Sequence, residues 1–113
     1  MSASSASLPV GAPLGQLAQA IVDSESPSGA EASLADAIEA VLSAVSHLEV
    51  LRLDNTVAAR TNLGRAKRMI WAGHIDTVPA NNNLPSRQVD GWLWGRGSVD
   101  MKAGVAVGLK LAV

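Results

Sequence analysis

Apolar residues recur at helical spacing from Leu14. Leu14, Leu17, Ala18, Ile21 and Val22 share one face, behind Pro13 at a first-turn position that tolerates proline. Ser24-Glu25-Ser26-Pro27-Ser28-Gly29 breaks the pattern with turn formers. Ser28, with Glu31 three residues on, has the capping-box arrangement, which predicts a second helix from about residue 30 to 45. Leu34, Ile38, Val41, Leu42 and Val45 form its apolar face, and Glu31, Asp36 and Glu39 its polar one. After Ser46 the period shortens. Leu48, Val50, Leu51 and Leu53 read as a strand, and Val57 to Ala59 as its neighbour across Asp54-Asn55. Met69-Ile70-Trp71-Ala72 is a continuous apolar run, the pattern of a strand buried on both faces, and it ends at Gly73-His74 with Pro79 beyond. Residues 81–86 read as a loop, and Trp92-Leu93-Trp94 as a brief strand between Gly91 and Gly95. From Met101 to Val113 small and apolar residues suit a helix despite Gly104 and Gly108.

This order predicts an α/β unit with a mixed central sheet flanked by helices. In open sheets of this class, ligands bind beyond the C-terminal ends of the strands. Residues 1–12 are expected as a flexible tail and 13–113 as one folded part. The last helix has no Gly, Asn or Pro to stop it, and the sheet has no visible second half, so the domain is expected to be incomplete.

Composition narrows the chemistry. The 113 residues contain no cysteine, which leaves histidine and carboxylates as the strong metal ligands. A net charge of −1 offers no general attraction to nucleic acid or to an anionic membrane. Arg60, Arg65, Lys67 and Arg68 surround an expected turn at Asn62-Leu63-Gly64 and read as a solvated hairpin. No run approaches the ~18 apolar residues of a membrane helix, and the Ser-rich opening lacks the basic and apolar regions of a signal peptide. Together these features fit a cytoplasmic protein.

Two clusters carry chemistry. His74 and Asp76 stand one residue apart just past the apolar run, so in extended chain they point to the same side. A carboxylate beside an imidazole can hold one tautomer and free the other nitrogen for a metal; equally, Asp76 could stiffen the loop through backbone N–H groups. The second cluster is Gly95-Arg96-Gly97-Ser98-Val99-Asp100-Met101-Lys102-Ala103-Gly104. It has no Gly-Lys pair for a Walker loop, and Asp100 stands where a dinucleotide fingerprint needs its third glycine. What remains is a glycine-rich stretch that places one carboxylate before a helix, where it could also act as a cap.

Together, Ala72-Gly73-His74-Ile75-Asp76-Thr77-Val78-Pro79 and Gly95 to Gly104 resemble the M20 metallopeptidases, and Ser26-Pro27-Ser28-Gly29-x-Glu31 is similar to that family's opening turn. The loop Asn83-Leu84-Pro85-Ser86-Arg87 looks most like actinobacterial succinyl-diaminopimelate desuccinylases. The resemblance implies the N-terminal part of a zinc-peptidase-type catalytic domain using two Zn2+ (or Co2+) ions. In it His74 would be a ligand to one zinc, Asp100 would bridge both, and Asp76, counted with the catalytic residues, would orient His74. It also implies a cis peptide bond at Asp100-Met101. The implied reaction is hydrolysis of an N-acyl amino acid such as N-succinyl-LL-2,6-diaminopimelate, in lysine and diaminopimelate biosynthesis, by a cytoplasmic homodimer. Acetylornithine deacetylases, aminoacylases and carboxypeptidases are the alternatives within the family.

In the family, the glutamate general base and the remaining ligands follow the closing helix. His74 and Asp100 alone are too few for tight zinc binding. His47 reads as a surface or capping residue. The chain alone is therefore expected to be inactive, and a short non-catalytic binding or interaction module is the competing reading.

Overall fold

In the computed structural model, which describes residues 7–113, the two amphipathic stretches form helices where their spacing predicted them. α1 spans Leu14–Asp23 behind Pro13 and buries Leu17, Ala18, Ile21 and Val22. α2 spans Ala32–Ser43 and buries Leu34, Ile38, Val41 and Leu42 on one face. It starts later than the capping-box reading implied. Its N-cap is Glu31, without a side-chain cap bond, and Ser28 lies outside the helix. Glu31 still reaches back, accepting a hydrogen bond from the Gly29 N–H at 2.7 Å.

β1 (Glu49–Leu53) and β2 (Thr56–Arg60) form the antiparallel hairpin expected across Asp54-Asn55, with Asp54 at φ 50° in the turn. A second hairpin joins β3 (Arg87–Val89) to β4 (Trp92–Trp94) through Asp90-Gly91, both at positive φ. Asp-Gly is a favoured pair for such a turn because its backbone twist matches that of the strands. The α/β class is thus present, as helices with two small antiparallel sheets.

The apolar run 69–72 forms no strand. Met69 and Ile70 are each 80% exposed, and no neighbouring strand hydrogen-bonds to them. A strand buried on both faces needs a partner strand at each edge and a layer on each side. Trp71 instead lies against the third helix, its Nε1 donating to the Gly104 carbonyl at 3.2 Å. Between α2, the first hairpin, this run and the third helix lies a 940 Å3 groove lined by Ile38, Leu42, Val57, Ile70 and Leu109 among others.

α3 (Ala103–Ala112) closes the described chain and packs on α1, with Ala106 and Leu109 entering the core. The core also takes in Leu8, 4% exposed, from the segment expected as a tail; residues 1–6 of that expectation lie outside the described residues. Arg52 joins the first hairpin to α2 through Asp36 at 2.9 Å and Glu39 at 3.1 Å. No helix among the described residues is long and apolar enough to cross a membrane. Ile38, 6% exposed, is a direct probe of this core: Ile38→Val should cost about 1 kcal/mol in urea unfolding, the usual loss for one buried methylene.

Candidate metal centre

His74 and Asp100 meet. The imidazole Nε2 lies 2.9 Å from Asp100 Oδ1 although the two residues belong to different loops. The other nitrogen, Nδ1, faces Asp76, 3.1 Å from its carbonyl and 3.2 Å from its carboxylate Oδ1. With oxygens on both nitrogens, the ring is best satisfied as an imidazolium that donates from each. The Asp100 carboxylate, followed by the Asp76 carbonyl, accordingly raises the His74 pKa above its ordinary value. His74, Asp76 and Asp100 share a 400 Å3 cleft with Ser28, Thr77, Val78 and the 95–99 loop.

The segment carrying His74 and Asp76 is held by the turn before α2. Thr77 N–H donates to Ser26 O at 2.9 Å, and Ser28 N–H to Thr77 O at 3.0 Å, making one parallel bridge between Pro27 and Thr77. The fully buried Ser26 adds its Oγ to the Ile75 carbonyl at 2.6 Å. Ser28 Oγ donates to Asp76 Oδ2 at 2.7 Å, and this bond is the main cause that lowers the Asp76 pKa. The family-like turn singled out in the sequence therefore binds the His74-Ile75-Asp76 segment rather than capping α2 through Ser28.

Asp100 is positioned from the opposite side. Gly97, at φ +86°, begins the approach to α3, and Lys102 N–H donates to its carbonyl at 2.8 Å. Asp100 and Met101 depart from helical geometry, and the peptide between them is cis, as the resemblance implied. Lys102 is 1% exposed, its Nζ donating to Ser24 O at 2.8 Å beyond the end of α1. Burial pushes this lysine down to about 8, against the opposing pull of Glu25 and Asp23. A cation at a helix C-terminus also complements the partial negative charge of its last carbonyls. The lysine stem thereby fastens the Asp100 loop to α1. Composition and spacing carried no signal for this latch.

The donor set matches part of a zinc site. Adjacent ligands of a tetrahedral zinc, each bonded at roughly 2.0–2.2 Å, stand about 3.3 Å apart. An imidazole nitrogen and a carboxylate oxygen at 2.9 Å are close to that spacing, and Asp76 occupies the place of the carboxylate that commonly orients a ligating histidine. Among the described residues no group of three or more His, Cys, Asp or Glu side chains converges on one metal position. His47 lies elsewhere, its Nε2 2.8 Å from the Ala112 carbonyl at the end of α3.

Residues 70–113 match the Peptidase family M20/M25/M40. Over 93 residues the chain is 54% identical to a succinyl-diaminopimelate desuccinylase of Corynebacterium glutamicum, a match covering 80% of this chain and 25% of that protein. A Mycobacterium tuberculosis protein assigned to the same activity is 49% identical over 98 residues, covering 86% of this chain and 28% of the relative. A succinyl-diaminopimelate desuccinylase of Cereibacter sphaeroides is 34% identical over 95 residues, with 74% and 25% covered. The chain spans about a quarter of the length of the curated relatives it matches. Residues 70–113 are thus similar to the M20/M25/M40 peptidase family, and over most of its length the chain is similar to actinobacterial succinyl-diaminopimelate desuccinylases.

Proposed function

We propose that this chain is the metal-binding first part of a zinc-dependent amide hydrolase that removes a succinyl or other acyl group from an amino acid, N-succinyl-LL-2,6-diaminopimelate being the leading substrate. The observation that carries the reading is the meeting of His74 Nε2 with Asp100 Oδ1 at 2.9 Å, with Asp76 on the opposite ring nitrogen. His74 and Asp100 would hold metal. With a metal bound, Asp76 would accept a hydrogen bond from Nδ1–H and leave the Nε2 lone pair for the ion. Asp100, its side chain 86% exposed, keeps carboxylate surface open toward the cleft for a second ion. When bound, two zinc ions would supply an acidified water and polarise the acyl carbonyl. The general base and remaining ligands belong to other parts of such an enzyme, which we place in the cytoplasm as a homodimer.

The test is a chimera in which this chain replaces the matching 93-residue stretch of the C. glutamicum enzyme. It should hydrolyse N-succinyl-diaminopimelate, lose activity to a chelator and regain it with zinc, while the 113-residue chain alone shows no turnover. Zinc-dependent turnover by the chain alone would overturn the division of the site between this chain and the rest. In the chimera, Asp76→Asn should keep most of the zinc yet lower turnover about 10–100-fold, the usual cost of disturbing a residue behind a ligand. Elemental analysis beside kinetics separates the two effects; unchanged turnover would make Asp76 merely a loop-stiffening residue.

A further inference from the structure

We infer that Ser28 is a positioning residue for His74, acting through Asp76 from a turn 48 residues upstream of that aspartate. The inference rests on the reading of His74 as a metal ligand. Its ground is the way the 73–77 segment is supported. Isolated from any strand ladder, that segment takes its backbone register from Ser26 and Ser28 through the single bridge to Thr77.

Within that register the Asp76 carboxylate could still rotate, because its side chain is 45% exposed. Two contacts oppose rotation: Ser28 Oγ on Oδ2 at 2.7 Å and His74 Nδ1 on Oδ1 at 3.2 Å. The first is the shorter, and charge-assisted hydrogen bonds of this kind are stronger than neutral ones. Ser28 Oγ has one other acceptor near it, the Thr77 carbonyl, which at 3.5 Å is too distant to compete. Water could replace the hydroxyl as a donor, but it would not fix the angle of the carboxylate plane.

Ser28 itself is tied down. Its own N–H donates to Thr77, Pro27 restricts the backbone before it, and Gly29 at φ +94° turns the chain after it. Nor does α2 use this hydroxyl, since the helix begins at Ala32 with no side-chain cap bond. Ser28 thus bonds the Asp76 carboxylate, which lies 3.2 Å from the Nδ1 of His74, whose Nε2 meets Asp100, so that contacts run across three loops.

The experiment compares Ser28→Thr, which keeps a hydroxyl, with Ser28→Val, which has nearly the same shape without one, alongside Ser28→Ala in the 113-residue chain. Ring 1H–15N spectra are recorded above the imidazole titration range. The chain has only two histidines, so His47, bonded to Ala112, serves as an internal reference. The wild type and the Thr variant should show the larger Nδ1–H preference of His74, against Asp100, which favours a proton on Nε2. The Val and Ala variants should lose that preference at least threefold and, placed in the C. glutamicum chimera, bind zinc about tenfold more weakly, on the scale of other changes behind a ligand. Equal tautomer ratios and zinc affinities in the Thr and Val variants would overturn the role of Ser28, leaving His74 as a ligand. If His74→Ala in the C. glutamicum chimera keeps both zinc ions, the metal reading fails, and the Thr–Val tautomer difference still decides whether Ser28 positions the ring. Should the Ala variant not fold, the Thr–Val pair carries the comparison.

Discussion

His74→Ala and Asp100→Ala, placed in the C. glutamicum chimera, should each lower turnover by more than about a hundredfold, beyond the ~10–100-fold that residues behind a ligand usually cost. The two losses should differ in kind. His74 offers one nitrogen, so its removal should release one zinc of two. Asp100 is proposed to serve both ions, and its removal should lower both occupancies. His47→Ala is the matched control: its ring touches the α3 terminus rather than the cleft, so turnover should stay within about twofold. Zinc stoichiometry by elemental analysis, read beside kcat, gives the answer. If His74→Ala keeps two zinc ions and turns over like His47→Ala, the site lies elsewhere.

The same His–Asp meeting shows what a sequence can disclose. His74 and Asp100 were singled out because their two segments together resemble the M20 metallopeptidases; the spacing of either segment alone left a loop-stiffening or capping role open. α1, α2 and the first hairpin were legible because their apolar periods are local properties. Ser28 was visible as a helix cap and as part of a family-like turn, but its actual partner, Asp76, lies 48 residues away, and no periodicity links the two. The buried amine of Lys102 was hidden for a similar reason: a lysine one residue past a cis peptide gives no local sign that it will point inward to Ser24.

The run Met69-Ile70-Trp71-Ala72 went the other way. Its composition is that of a central strand, but strand formation is a property of neighbours. Here the neighbours are the open 940 Å3 groove on one side and α3 on the other, and only Trp71 finds a partner. An apolar run with Met69 and Ile70 at 80% exposure, beside Leu63 at 62% and Leu111 at 65%, makes a surface prone to association. The hydrophobic pattern therefore stated correctly what this segment wants to bury, and the described residues contain too little structure to bury it.

Gly97→Ala should destabilise the chain by about 2–5 kcal/mol and disturb the His74 ring at the same time, whereas Gly108→Ala should be close to neutral. Both glycines lie against a side chain, and the difference is what can move. At Gly97, φ is +86°, a conformation that costs a residue with a Cβ roughly 1–2 kcal/mol. The added methyl would stand 2.8 Å from Thr77 Cγ2 and 3.1 Å from Lys102 Cδ. Thr77 is 7% exposed and pinned by both hydrogen bonds of its bridge to the 26–28 turn, while Lys102 is buried and bonded to Ser24. Neither can yield cheaply, and overpacking of that sort costs about 1–3 kcal/mol more. Any yielding by Thr77 pulls on Asp76, which is why the His74 ring should respond.

At Gly108 the obstacle is the Trp71 ring, half exposed and held by one hydrogen bond to Gly104. The ring can swing aside, and alanine regains up to about 1 kcal/mol of helix propensity there, offsetting the lost contact. Urea unfolding of both variants, with the His74 ring signals as a second readout, tests the contrast. A Gly97→Ala cost below about 1 kcal/mol would mean that the Asp100 loop is far looser than its packing on Thr77 and its tie through Lys102 to α1 imply, and the convergence of His74 on Asp100 would then lack the support assigned to it.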